Sequence, residues 1–380
     1  MSPNLAVTVA IVVLLVDVLL FVALIVLKTY HRRRVRRHDE RRNRYIQVLS
    51  KHLAFEHAVD PIPPEAGEDE AFIDAVIDLR NTLTGVEVRK LSVIANRYDL
   101  IERQSKRLRN KLLVTRRLRA AVSLAELGND QSARVLMDHL DDRVAEVRIQ
   151  AARGLARIGY TPAIDRIVDR LESEDPWVRA RFGDSLATFG PQATQPLMVY
   201  VRVNHAAGDI QAVVQAITTL SVIGDHSVGP QLAEVLERST RPEVQIAAVG
   251  ALGSVGGSHS LDSLLKALHA EDWRVRAKAA TSLGMIGDPA AAHPLAAALE
   301  DEAWWVRRNS AAALARMAGG TQLLYRALTS PDMFARDAAA EALEDVGGLA
   351  RARQRHEEGS ATEDERRLLR HMRTVRALSA

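Results

Sequence analysis

The sequence predicts an all-α chain: an α-solenoid of about eight short helical hairpins preceded by one transmembrane helix. Three observations predict it. A phrase of Val-Arg, a small residue, a Leu eight positions after the Val and usually a Gly four after that Leu recurs through residues 105–347. A long apolar run stands near the amino terminus. No segment sustains the period-two alternation of a half-buried strand.

The apolar run is LAVTVAIVVLLVDVLLFVALIVL, Leu5 to Leu27, interrupted only by Thr8 and Asp17. As a helix it would extend about 35 Å, enough to cross a bilayer. The preceding MSPN lacks the basic side chain of a signal-peptide n-region, so the run is expected to persist as an anchor over residues 1–27. A basic stub follows over residues 28–44, with Lys28, Arg32, Arg33, Arg34, Arg36, Arg37, Arg41, Arg42 and Arg44 set against Asp39 and Glu40. The positive-inside rule would then place the amino terminus outside and the rest in the cytoplasm, with these basic residues orienting the span and touching anionic lipid headgroups. Asp17 lies mid-span, where a carboxylate costs about 2.5 to 3.5 kcal/mol. Two readings of it stand: a contact with another membrane helix, self-association included, or a carboxyl that its apolar neighbours tolerate.

Charge needs the same local reading. The whole chain carries +3 with a pI near 9.2, but the stub alone carries +7. A second basic stretch, Arg97 to Arg119, holds nine cations against Asp99 and Glu102, so the remainder is acidic. The lack of cysteine excludes disulfides, thiolate metal sites and a cysteine nucleophile.

Residues 45–104 read as a helical linker region. Tyr45, Ile46, Leu49, Leu53 and Ala54 have helical spacing, and a proline-rich break at 58–70, with Pro61, Pro63 and Pro64, ends that helix. Helical patterning resumes at Ala71.

From residue 105 the repeats set the register. Their Leu column is Leu124, Leu155, Leu186, Leu220, Leu252, Leu283, Leu314 and Leu343, spaced by 29 to 34 residues. Gly128, Gly159, Gly190, Gly224, Gly256, Gly287 and Gly347 close seven units, and Ala318 stands in the eighth. A second amphipathic stretch lies between successive phrases. Each unit is therefore two short antiparallel helices, the second ended by a left-handed Gly. Neither helix can hide its apolar face alone, so neighbours must stack.

This pattern resembles the HEAT repeat superfamily, in particular the short bacterial HEAT-like units named after the phycobilisome lyases. The resemblance implies a solenoid over 105–347 and a polar ladder made by the Arg column, with Arg148, Arg179, Arg276 and Arg307 joining successive turns. Arg117 and Arg336 share the column, and Asp142, Asp175, Asp272, Asp301 and Asp332 precede it. An anion-binding track is the other reading of these positions. The third unit departs, with Ala212 and Val213 in place of Val-Arg, and the fourth has Gln245 in the Arg column.

Catalytic signatures are lacking in the sequence. HExxH, GxSxG and Walker motifs are absent, and His356-Glu357 is the one His-Glu pair, whereas HEAT-like deoxyhypusine hydroxylases carry several as iron ligands. Gly250, Gly253, Gly256 and Gly257 end a helix and so read as packing and capping residues, not a phosphate loop. No metal, cofactor or catalytic residue is expected.

All four tryptophans, Trp177, Trp273, Trp304 and Trp305, fall one or two residues before the repeat Val. They are candidates for partner binding, with covering the ends of the core as the alternative. The expected function is a single-pass, membrane-anchored scaffold in a bacterial inner membrane, presenting a cytoplasmic protein-binding surface to an integral membrane enzyme or cell-envelope assembly, a glycosyltransferase among the options. A chromophore or protein-modifying lyase is the rival enzyme class. A nucleic-acid-binding solenoid is the other rival, opposed by the acidic repeats. The tail, 348–380, should end in a helix opened by the capping box Thr362 to Glu365.

Overall fold

A computed structural model describes residues 3–54, 63–65, 67–110, 113–256 and 258–378, with the backbone alone at 3–14, 16, 258–259 and 375–378. Among the described residues there are twenty-one α-helices, four short 3₁₀ turns and no strand. The chain divides into two compact units, residues 1–158 and 159–380.

Unit 1 contains α1 (Pro3–Ala54), α2 (Asp69–Thr82), α3 (Val86–Arg97), α4 (Leu100–Arg109), α5 (Val114–Leu127), α6 (Asp130–Asp138) and α7 (Ala145–Ile158). The carboxyl-terminal part of α1 packs on α2, and α2 and α4 pack on α5. Tyr45, Leu49 and Leu53 of α1 are buried, and Phe72 stands at the centre of an aromatic cluster, edge-on to Tyr45 at 5.2 Å and to Tyr98 at 5.5 Å. Arg80 of α2 donates to the carbonyls of Leu127 and Gly128, satisfying the open end of α5. The residues expected as a helical linker thus build a core with the first repeats. Pro61 lies outside the described residues.

The membrane expectations are corrected here. Among the described residues no helix is long and apolar enough to cross a membrane. Leu5–Leu14 and Val16 lie outside the residues whose side chains are described. The helix also continues without a break from this run through the arginines to Ala54. Several of the stub cations are engaged within the fold. Arg41 Nε lies 3.0 Å from Glu68, Arg42 Nε lies 3.3 Å from Asp78, Arg44 pairs with Glu68, and His38 Nε2 lies 2.8 Å from Asp74. Arg36 is 2.9 Å from Glu40 on its own helix. The inner-membrane location, the topology and the lipid and membrane-embedded partners drawn from the apolar run therefore lose their basis. Asp17 is exposed. The second basic stretch is likewise drawn inward, Arg103 and Arg107 to Asp69 at 2.5 and 3.6 Å and Arg119 to Glu70 at 2.9 Å.

Unit 2 is a stack of hairpins: α8 (Ala163–Asp169), α9 (Pro176–Thr188), α10 (Thr194–Asn204), α11 (Ile210–Ile223), α12 (Gly229–Arg238), α13 (Pro242–Val255), α14 (Ser258–Ala267), α15 (Trp273–Ile286), α16 (Ala292–Ala297), α17 (Trp304–Arg316), α18 (Gly320–Ala327), α19 (Met333–Asp345), α20 (Gly348–Glu357) and α21 (Glu363–Leu378). The odd-numbered helices α9 to α19 lie side by side in one row, and the even-numbered ones back them. Between the rows the Leu column, Leu186 to Leu343, is fully buried. Small residues set how closely neighbours approach: a Cβ on Gly284 of α15 would come 2.6 Å from the Ala313 Cβ of α17. The closing glycines adopt positive φ, from 56° at Gly128 to 76° at Gly347. Where Ala318 replaces the glycine, the positive φ moves one residue on to Gly319 (76°), because a residue with a Cβ resists the left-handed region. In α21 the capping box forms, Glu365 N–H donating to Thr362 Oγ1 at 3.2 Å and Thr362 N–H to Glu365 Oε2 at 2.8 Å.

Candidate functional site

Helix geometry decides where the tryptophans point. The repeat Val faces the core, Val178, Val275 and Val306 being buried. Residues one and two positions earlier are turned about 100° and 200° around the axis and cannot share that face. Trp177, Trp273, Trp304 and Trp305 accordingly stand in the first turns of α9, α15 and α17, between 42% and 49% exposed. The structure brings three of them together. Trp273, Trp304 and Trp305 sit at the starts of the adjacent helices α15 and α17, and the rings of Trp304 and Trp305 meet edge-to-face at 4.6 Å. Trp177 is separated from them by α11 and α13, whose equivalent residues are Gln211 and Glu243.

The ridge also extends one helix further than the tryptophans. Met333 and Phe334, 51% and 53% exposed, occupy the same two places at the start of α19. A search for tryptophan passes over them. The signal that locates them is register, since they precede Ala335, which takes the Val position eight residues before Leu343 and is buried.

The turns that carry the ridge are acidic and rigidly capped. Asp272 accepts from the Arg274 N–H at 2.8 Å, Asp301 from Ala303 N–H at 2.8 Å, and Asp332 from Phe334 N–H at 2.7 Å. The Arg274 side chain beside Asp272 holds that carboxyl below its ordinary value against the opposing effect of burial. Burial also works to raise Asp301, but hydrogen bonds from Arg276 and the Ala303 N–H outweigh it and the net shift is downward. Glu271 and Glu302 are exposed beside the ridge. Arg308 lies over the Trp304 ring at 5.4 Å and Arg307 over Phe334 at 4.8 Å, so these faces already accept guanidinium groups.

Behind the ridge the arginine column is turned inward. Each guanidinium donates to carbonyls of the turn that precedes its own helix: Arg148 to Asp142 at 2.9 Å, Arg276 to Ala270 and Glu271 at 2.9 Å, Arg307 to Asp301 at 2.8 Å, Arg336 to Ser330 at 2.7 Å. Arg179 reaches the Leu171 and Glu174 carbonyls at 2.7 and 3.0 Å. Three members also reach a carboxylate one turn on, Arg117 to Asp142, Arg179 to Asp209 at 3.5 Å and Arg276 to Asp301 at 2.8 Å. The departures from the column have structural counterparts. Gln245 donates to the Ser239 carbonyl at 2.8 Å, the same six-residue step, and Val213 is buried as a core residue.

Among the described residues no three His, Asp or Glu side chains gather to hold a metal ion. Of the stub, Lys28, Arg32, Arg33, Arg34 and Arg37 are exposed along α1 and make no ion pair among the described residues.

No curated protein matches the chain. Among solved structures it is similar to human deoxyhypusine hydroxylase in complex with glycerol, at 21% identity over 66% of this chain and 96% of that one, with a TM-score of 0.29. It is similar to the complex of CpcE and CpcF of phycocyanin lyase from Nostoc sp., at 21% identity over 65% and 94%, TM-score 0.30. A Kap121p mutant aligns at 13% identity over 87% of this chain and 43% of its own, TM-score 0.47. The family model described as HEAT repeats matches residues 135–218 and 229–316. Over those residues the chain is similar to HEAT repeats.

Proposed function

We propose that this chain is a non-enzymatic protein-binding scaffold whose docking face is the ridge of Trp273, Trp304, Trp305, Met333 and Phe334. The observation that carries it is that five large apolar side chains, each about half exposed, stand on three adjacent helix ends. Exposed apolar patches of this kind mark interaction surfaces, and tryptophan is enriched where binding energy concentrates. Asp272, Asp301 and the Arg276 guanidinium are already committed to caps and to the arginine column, so apolar surface rimmed by the exposed Glu271 and Glu302 is what this face has to offer. Charge selects the partner. With Glu271 exposed beside rings that accept guanidinium, and Glu302 exposed while touching Arg276 at 3.2 Å, the matching occupant is a protein segment carrying Arg or Lys among apolar residues.

Three of the four tryptophans stand on this ridge and Trp177 stands apart on α9, so intrinsic fluorescence reports mainly on the surface. Titration with synthetic Arg-Leu-rich peptides should shift and protect that fluorescence from acrylamide, Glu-Leu-rich peptides of equal length should not, and the Trp304→Ala, Trp305→Ala protein should lose the basic-peptide response. Equal response to both peptides, or an unchanged affinity in the variant, would overturn the proposal.

A further inference from the structure

Three of the stub cations that make no ion pair among the described residues, Arg33, Arg34 and Arg37, line one place in unit 1. Tyr30, Arg33, Arg34, Arg37 and Arg41 recur at helical spacing along one face of α1, and this face looks onto the start of α2 at Gly67 to Ala71. Between them lies a cleft of about 470 Å³. A second recess of about 280 Å³ shares Arg34, Gly67 and Glu70 with it and adds Arg107 and Arg116 from the α4–α5 side as the opposite wall. The two recesses are one basic surface with Arg34 at the middle.

Its carboxylates do not offset this charge. Glu68 is held by Arg41 and Arg44 and receives the Tyr45 hydroxyl at 2.7 Å. Asp69 is taken by Arg103 and Arg107, and Glu70 by Arg119. Arg33, Arg34, Arg37 and Arg116 make no ion pair among the described residues, so three planar guanidinium groups border the larger recess and Arg116 the adjoining one, with no carboxylate left for them. Guanidinium binds phosphate oxygens in pairs, and four such groups call for an anion with several phosphate charges. The cleft volume falls in the range of small-ligand sites. Tyr30, 66% exposed at its edge, supplies an open aromatic face on which a planar base can stack.

We propose that this cleft binds a nucleotide bearing two or more phosphates, with Arg33, Arg34, Arg37 and Arg116 on the phosphates and Tyr30 against the base. The test uses the full chain and calorimetric titration with ATP and with inorganic tripolyphosphate. Both should bind. Arg34→Glu, central to both recesses, and Arg33→Glu with Arg37→Glu should weaken both ligands by at least about tenfold. Arg32→Glu makes the same charge change on the far side of α1, among the residues of a separate shallow surface around Val35 and Asn43, and should leave both affinities nearly unchanged. Tyr30→Ala should weaken ATP and spare tripolyphosphate. Circular dichroism and melting temperature confirm that these exposed substitutions leave the fold intact. Failure of both ligands to bind overturns the site, as does an Arg32→Glu effect equal to that of Arg34→Glu. Equal loss of both ligands in Tyr30→Ala overturns the nucleotide assignment and leaves a phosphate site alone.

Discussion

Arg276 holds the Asp301 carboxylate by two parallel bonds, Nε and Nη2 lying 2.8 and 3.0 Å from Oδ2 and Oδ1, while its Nη1 donates to the Ala270 and Glu271 carbonyls. One side chain therefore ties the turn before α15 to the turn before α17. Both groups are largely withdrawn from solvent, so removing one leaves the other unpaired. Arg276→Leu should lower the unfolding free energy by about 3 kcal/mol, read from urea titration. Combined with Asp301→Asn, the loss should fall well short of the sum of the two single changes.

Acid should weaken the same region. Asp272 and Asp301 both titrate below their ordinary value of about 3.9. A carboxyl lowered in the folded state contributes stability that is complete above its unfolded value and is lost as pH falls through the folded one. The urea midpoint should therefore hold between about pH 5 and 7 and drop below about pH 4. In Asp301→Asn the drop should be shallower.

The ridge should be separable from the core. Trp304 and Trp305 are about half exposed and contact each other edge-to-face, an arrangement that contributes about 1 kcal/mol beyond burial. Trp304→Ala with Trp305→Ala should abolish the response to basic peptides while moving the melting temperature by only a few degrees. A collapse of stability with peptide affinity intact in the remaining folded protein would assign these rings to the core instead.

Close helix approach gives a further prediction. A Cβ on Gly284 would lie 2.6 Å from the Ala313 Cβ and 2.9 Å from its Cα, so Gly284→Ala must push α15 and α17 apart. It should cost about 1 to 3 kcal/mol despite the gain in helix propensity, measured by denaturant unfolding. The same change at solvent-facing, helical positions elsewhere would stabilise.

Much of unit 2 was legible because its period constrains several residues at once. A Val on the core face fixes where the Leu, the closing Gly and the arginine must fall, and the same register places the tryptophans outside. What escaped notice had no period to reveal it. Met333 and Phe334 carry the ridge onward in different residue types, and Gly319 takes the left-handed conformation one place late. Residues 45–104 lack the repeat phrase altogether, so their amphipathic faces could be seen but not the partners those faces find in α1 and α5. The apolar run misled for another reason. Hydropathy records composition, and it cannot show that Arg41, Arg42 and Arg44, three of the nine cations counted, turn toward Glu68 and Asp78.

The substitution of Gln245 into the arginine column has a consequence for how unit 2 opens. With an amide in α13 and Val213 in α11, neither helix sends a column guanidinium to a carboxylate one turn on, and the α13–α15 step has in place of a buried charge pair the Ser282 Oγ bond to the Val249 carbonyl at 2.9 Å and the solvent-facing Arg274–Glu243 pair at 3.6 Å. In a linear array, cooperativity passes only through neighbouring interfaces, so the weakest interface sets the boundary between blocks that unfold together. Amide hydrogen exchange should accordingly show α15 to α19 protected as one group and α9 to α11 as another, with α13 as the joint at which partial unfolding stops.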